Sequence, residues 1–358
     1  MIAHRFGESA PFSVGAEEEL MILDAGSLEP APRVQELVAA VDGLPLKTEL
    51  HASVVESTTG VCDTAAAALD ELRGTRVGAA AAAESLGLAL MASGSHPLSL
   101  PEEQSVVPEE RYVAFVEYAG VSARFQGVSG LHVHVGMPDP DACYRALEGV
   151  LPWLPLLLAL SANSPYFAGR ATGLLSSRAP VLAQLPRSGA PPAFGSYAAW
   201  EAWVERLARL GVAADDTRIW WDVRPAPRFG TLEIRMPDQP TSVELSGAFV
   251  SIVQALCREA VEGELRVADR GDYVHNRWAA MRFGPAAELI HPDGDRMVLA
   301  SELGAELLER LGLEGALDPT RCEAQRQLDA GLEGVVADLV ERSLVSQVHG
   351  DPERDGSG

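Results

Sequence analysis

Four segments of this chain carry ionisable side chains at or around the spacing of a β-strand, and that pattern restricts the folds open to it. Phe12 to Asp24 reads as a strand, with Glu17 and Glu19 on one face and Glu18 and Leu20 on the other. Lys47 to Thr59 is strand-like, rich in Val and Thr, and bracketed by Glu49 and Glu56. Gly130 to Gly136 alternates apolar and polar residues between glycines and puts His132 and His134 on a common face. Trp220 to Met236 reads as a loop leading into a strand on which Glu233 and Arg235 share a face.

A sheet face with so much charge is not an ordinary core, because an unpaired buried charge costs several kcal/mol. Taken singly, each segment has an alternative. Glu17 to Glu19 fits an exposed edge strand defended by charge, the two histidines fit a solvated or hydrogen-bonded pair, and Glu233 with Arg235 fits a structural ion pair. Their coincidence favours one site: if the strands are neighbours, their common face is a carboxylate-rich trough. Oxygen-dominated ligation favours Mg²⁺ or Mn²⁺ over zinc, and carboxylates plus substrate phosphates are the usual way to hold Mg²⁺. A nucleoside triphosphate is the expected third party.

Charge narrows the partners. The formal net charge of -23 opposes a nucleic-acid phosphate backbone, so no nucleic acid is expected. Lys47 is the only lysine among 28 Lys and Arg residues, and it lacks the preceding glycines of a P-loop. Phosphates must therefore be neutralised by metals and arginines, and Schiff-base chemistry has no supporting motif. Cys62, Cys143, Cys257 and Cys322 form no C-x-x-C pair, which fits a reducing compartment. The most apolar stretch, Val150 to Ala162, contains Pro152 and Pro155 and is too short to span a bilayer. With no apolar signal segment at the N-terminus, the expectation is a cytoplasmic protein without a membrane partner.

Between these segments the pattern predicts helices over Thr64 to Leu90, Glu109 to Gly120, Asp141 to Leu160 with a proline interruption, and Tyr197 to Leu210. Ser161 to Gly195 is rich in Ser, Gly and Pro and is expected to be a substrate-binding loop. Helices resume at Ser242 and continue with interruptions through Val348. Residues 1–349 are expected to form one catalytic domain and 350–358 a disordered tail. Pattern alone leaves α/β open, but no strand is followed by a Gly-rich dinucleotide turn.

Six stretches together resemble the carboxylate-amine ligases of the glutamate-cysteine ligase type 2 family. They are Val14-Gly-Ala-Glu-Glu-Glu-Leu, Glu49 to Glu56 with Ser57-Thr-Thr, Gly130-Leu-His-Val-His-Val-Gly, Leu158-Ala-Leu-Ser-Ala-Asn-Ser-Pro, Trp220-Trp-Asp-Val-Arg-Pro, and Phe229-Gly-Thr-Leu-Glu-Ile-Arg. The resemblance runs from about Phe12 to about Ile290, with Asn276 to Gly284 the last clear match. It implies an α+β, glutamine-synthetase-like fold: a curved, mainly antiparallel sheet forming an active-site funnel, with helices packed on its outer face.

The resemblance also implies roles. Glu17, Glu19, Glu49, Glu56, His132 and Glu233 would hold two or three Mg²⁺ or Mn²⁺ ions around ATP, with Glu56, Glu233 and Arg235 catalytic and Arg235 on the transferring phosphoryl group. Arg224 would help bind the nucleotide, Arg178 and Trp220 the substrate, and His134 would orient a neighbour. The activity implied is ATP-dependent joining of a carboxylate to an amine through an acyl phosphate, with glutamate and cysteine as the default pair. A kinase-like or amide-hydrolysing member of the superfamily, or an inactive relative that binds nucleotide or metal, stays open at this point. Relatives of this kind commonly self-associate, and the apolar helices after Ser242 offer an interface for a homo-oligomer.

Overall fold

The structure, a computed structural model, describes residues 2–41 and 43–344; the tail expected at 350–358 lies outside them. Its centre is an open seven-stranded sheet of β1 (Val14–Asp24), β2 (Leu46–Thr48), β3 (Val54–Thr58), β4 (Leu88–Met91), β5 (Leu131–Gly136), β6 (Val223–Ala226) and β7 (Thr231–Ile234). The order is β6-β7-β5-β1-β3-β2, with β4 paired to the end of β1, and every pairing is antiparallel. β1 pairs with β5 through Val14–Glu18, with β3 through Glu17–Met21 and with β4 through Met21–Asp24. It is interior, so an exposed-edge role for Glu17 to Glu19 is overturned.

Strand alternation separates two chemistries. Leu131, Val133 and Val135 are wholly buried in a core shared with the helices Pro140–Val150, Leu154–Ser161 and Val243–Glu262, while His132 and His134 point to the other side. Glu18 also faces the helices. It is completely buried and takes hydrogen bonds from Arg76 on the helix Ala65–Ser85, from Gln239 and from Ser246. Four acceptor contacts on one carboxylate offset its desolvation.

Several boundaries differ from the sequence expectation for identifiable reasons. The helix beginning at Thr64, whose hydroxyl accepts from Ala67 N, ends at Ser85 rather than Leu90. Gly87 adopts φ +70°, and Leu88–Met91 becomes β4, because a short apolar run alone does not distinguish helix from buried strand. The extended segment from Lys47 breaks after Thr48 and resumes at Val54. Trp220 to Met236 is a hairpin rather than a loop and one strand: β6 and β7 join through Pro227–Gly230. Gly230 has φ +67°, and an added Cβ would sit 2.3 Å from Arg5 O, so this turn needs glycine. After Ser242 the helices are interrupted by an unforeseen hairpin, Glu288–Ile290 with Met297–Leu299.

Pro140–Ser161 is, by length and composition, apolar enough to cross a membrane, longer than the stretch considered from sequence. However, 83% of its apolar window is buried inside the protein, so it is a core element. The four cysteines are buried and free.

Candidate active site

Register brings the separated acids together. Glu17 lies opposite Thr58 on one side and His132 on the other; Glu19 lies opposite Glu56; Glu56 lies opposite Lys47; and Glu233 lies opposite both His134 and Arg224. All these positions share the uncovered face of the sheet. All of them except Thr58 line a cavity of about 440 Å³ together with Glu49, Arg178, Trp220 and Arg235, so every candidate site residue named from the sequence borders one space.

The cavity has two electrostatic regions. In the first, Glu17, His134 and Glu233 each offer a ligand atom within 4.8 Å of the other two. His134 Nε2 is 3.6 Å from Glu17 Oε1, and its Nδ1 is 2.9 Å from Thr231 Oγ1, which fixes the ring. His132 Nδ1 stands 3.3 Å from Glu17 Oε2, and its Nε2 is 3.9 Å from Glu19 Oε1. The three-donor group thus contains His134, which the sequence placed in a supporting role, while His132 bridges two acids.

Burial pushes the Glu17 carboxyl up, but the His132 hydrogen bond and the charges of both histidines outweigh it and hold the pKa down at about 2. Burial likewise opposes ionisation of Glu233, yet Arg224 and Arg235 keep it well below the carboxylate range. Arg235 pairs with Glu233 Oε1 and is largely enclosed.

The second region is under repulsion. Burial, then Glu19 and Glu56, push the Glu49 carboxyl well up; burial and Glu17 push Glu56 up. Glu49 and Glu56 are neighbours whose charge is disfavoured by the surrounding acids, and a bound cation would relieve both. Glu19 Oε2 accepts from Gly130 N at 2.7 Å, which aims it across the cavity. Carboxylates that are ionised or crowded, with one imidazole, form a donor set suited to Mg²⁺ or Mn²⁺.

Two of the expected arginines are held in place by the surrounding chain, Arg224 through most of its donors and Arg178 through two. Arg224 donates from Nε to Glu233 Oε2 at 2.5 Å and from Nη1 to Ile219 O at 2.6 Å, pinning the Asp216–Arg218 turn to the sheet. Arg178 is buried, donates to Met236 O and Arg235 O, and borders the cavity from beneath. Gly130 permits this: a Cβ there would lie 2.1 Å from the Arg178 guanidinium. Trp220 packs its ring 5.3 Å from Phe115 at the cavity wall, whereas Trp221 is buried against Trp203. Asp222, the third residue of that motif, accepts from Tyr273 at 2.6 Å and Arg277 at 2.8 Å, tying the Asn276–Gly284 stretch to the site.

Sequence reasoning missed Lys47, Arg111, Tyr112 and Phe115, all of which line the cavity. Lys47 shares strand parity with Glu49, a signal that was available. The helix Glu110–Ala119 carries no motif that would have marked it.

Comparison with known proteins places this arrangement. The profile of glutamate-cysteine ligase family 2 matches residues 13–334. The chain belongs to that family. A Rubrobacter xylanophilus protein named "Putative glutamate--cysteine ligase 2-3" is 40% identical over 86% of this chain and 85% of its own length. A Thermobifida fusca relative named "Putative glutamate--cysteine ligase 2" is 34% identical over 87% of this chain and 83% of its own. Among solved structures, the Francisella tularensis glutamate-cysteine ligase in complex with AMP shares the fold, with TM-score 0.67 and 15% identity over 94% of this chain and 88% of that one. The Pasteurella multocida bifunctional glutathione synthetase aligns at TM-score 0.62 and 17% identity, over 92% of this chain and 49% of that chain. The fold is that of the glutamine-synthetase-like ligases, and as a family member this chain is an ATP-dependent ligase.

Proposed function

We propose that this ligase joins a carboxylate to an amine through an acyl phosphate, with glutamate and cysteine as the default pair and residues 1–349 as one catalytic unit. The observation that carries the reading is convergence: Glu17, Glu19, Glu49, Glu56 and Glu233, from four separate parts of the sheet region, border one cavity with Arg235. Glu17, His134 and Glu233 would hold one divalent cation and Glu19, Glu49 and Glu56 another. Bound there, the ions neutralise phosphate charge and align the reacting oxygens.

The substrate carboxylate attacks the γ-phosphorus of ATP; a P–O bond forms, the bond to the β–γ bridging oxygen breaks, and ADP departs. The amine then enters in its neutral form, forms the C–N bond, loses a proton, and phosphate leaves. Arg235, held by Glu233, presents a planar fork to the phosphoryl oxygens as their charge redistributes. Arg178 offers a fixed positive charge for a substrate carboxylate, and Trp220 with Phe115 forms an apolar wall beside it.

A screen of amino-acid pairs for Mg²⁺-dependent phosphate release, with mass spectrometry of any amide, tests this. Release that requires both a carboxylate and an amine supports it. ADP formation with a single acceptor that itself becomes phosphorylated, without free phosphate, identifies a kinase, and amide cleavage without ATP a hydrolase; either result contradicts the reading.

A further inference from the structure

We propose that Lys47 binds the phosphoryl group in transit, meeting it from the β2 side of the funnel. The proposal rests on the ligase reading above. Beside the 440 Å³ cavity lies a second, of about 520 Å³, bounded by Ser13–Glu17, Thr58–Val61, Phe229 and Thr231. The two spaces share Glu17, Lys47, His134 and Phe229, so Lys47 stands beside the acids of the first cavity at its open border with the second. Among the described residues Lys47 is the one cation that lines both.

Its placement is set by the sheet. Lys47 sits on β2 opposite Glu56, and its Nζ reaches Glu56 Oε1 at 3.3 Å. That contact engages one of three N–H donors, and the side chain is 55% exposed, so two donors remain for a ligand. In a chain that otherwise uses arginine for every cation, a single lysine at this border supplies a compact, rotatable point charge. Such a charge can follow an oxygen that moves during transfer, where a planar fork fits one geometry. Glu56 anchors the ammonium, and the anionic phosphoryl oxygens take the free donors.

Because Lys47 is the only lysine, an amine-selective acylating ester modifies the intact protein at that side chain and at the α-amino group, which serves as internal standard. Acylation of Lys47 is followed by peptide mass spectrometry with Mg²⁺ alone, with Mg·ADP, and with a non-hydrolysable ATP analogue, while calorimetry records nucleotide binding. The expected result is slowing of Lys47 acylation by about tenfold or more with the analogue and little change with ADP or Mg²⁺. Binding of the analogue without protection, equal protection by ADP, or protection by Mg²⁺ alone overturns the Lys47 contact. Absence of analogue binding overturns the ligase reading with it. Lys47→Gln is expected to lower kcat by about 10- to 100-fold, the size of one charge-assisted hydrogen bond, with Lys47→Arg recovering only part. Unchanged kcat in Lys47→Gln contradicts the proposal.

Discussion

Glu18 and Arg76 are joined by two hydrogen bonds, of 2.7 and 2.6 Å, on the covered side of the strand that presents Glu17 and Glu19 to the cavity. Arg76 also donates to Thr241 O and Pro240 O, so one guanidinium ties β1 to the segment leading into the helix Val243–Glu262. The pair holds the site's central strand against its scaffold.

Removing one partner leaves a buried charge without its counterion. Arg76→Met is therefore expected to destabilise the fold by about 3–5 kcal/mol in urea unfolding. Replacing both Glu18 and Arg76 by apolar residues should cost less than the single change, because no orphan charge remains. A single-variant loss below about 1 kcal/mol would remove the pair from this role.

Gly130→Ala places a methyl group into the Arg178 guanidinium. The expected outcome is a rise in KM for the carboxylate substrate of about tenfold or more, with a fall in thermal midpoint as Arg178 or β5 shifts. Unaltered kinetics would show that Arg178 does not contact substrate.

Glu49 and Glu56 are buried carboxylates crowded by other acids, a repulsion that a bound cation would relieve. Their carboxyl pKa values are raised, so the folded state holds protons more tightly than the unfolded chain. The stabilisation this gives is fully present below the unfolded carboxyl pKa and is lost as pH rises through the folded values. Glu49→Gln should thus make the metal-free protein equally or more stable at neutral pH while abolishing metal-dependent ADP formation. In the unmodified protein, the thermal shift produced by Mn²⁺ should grow from pH 5.5 to pH 8 as the cation displaces protons. A shift that is flat across that range, or undiminished in Glu49→Gln, contradicts this.

A separate acid sensitivity comes from His96. Burial outweighs its bond to Leu28 O and pulls its pKa down to about 4, while its Nδ1 accepts from Leu98 N and Ser99 N as a neutral ring must. Here the unfolded chain binds the proton more readily. The stability is present above the unfolded histidine pKa and falls away as pH drops towards 4, by an amount on the order of 3 kcal/mol. His96→Asn, which retains a local acceptor, should flatten that part of the pH profile; an unchanged slope would assign it to other groups.

Much of the site was legible because period two is an exact rule. Glu17 with Glu19 and His132 with His134 share faces by parity, and the structure places them on one wall. What parity does not specify is register between strands. It could not show that Glu233 stands opposite His134, or that His134 and not His132 completes a three-donor group with Glu17. Glu18 was assigned to the opposite face, but its partner Arg76 lies 58 residues away on a helix whose alanine run gave no hint of a buried cation. The β4 strand was absorbed into that helix for the same reason: Leu88 to Met91 satisfies either pattern, and only Gly87 marks the break.

The central claim is that these acids act together on divalent cations within one cavity. Anomalous diffraction from crystals of the full chain soaked with Mn²⁺ and a non-hydrolysable ATP analogue tests it most directly. The predicted result is a manganese peak liganded by Glu17, His134 and Glu233, with a second bounded by Glu19, Glu49 and Glu56. Manganese found only outside the cavity, or none there at saturating concentration, would contradict the account.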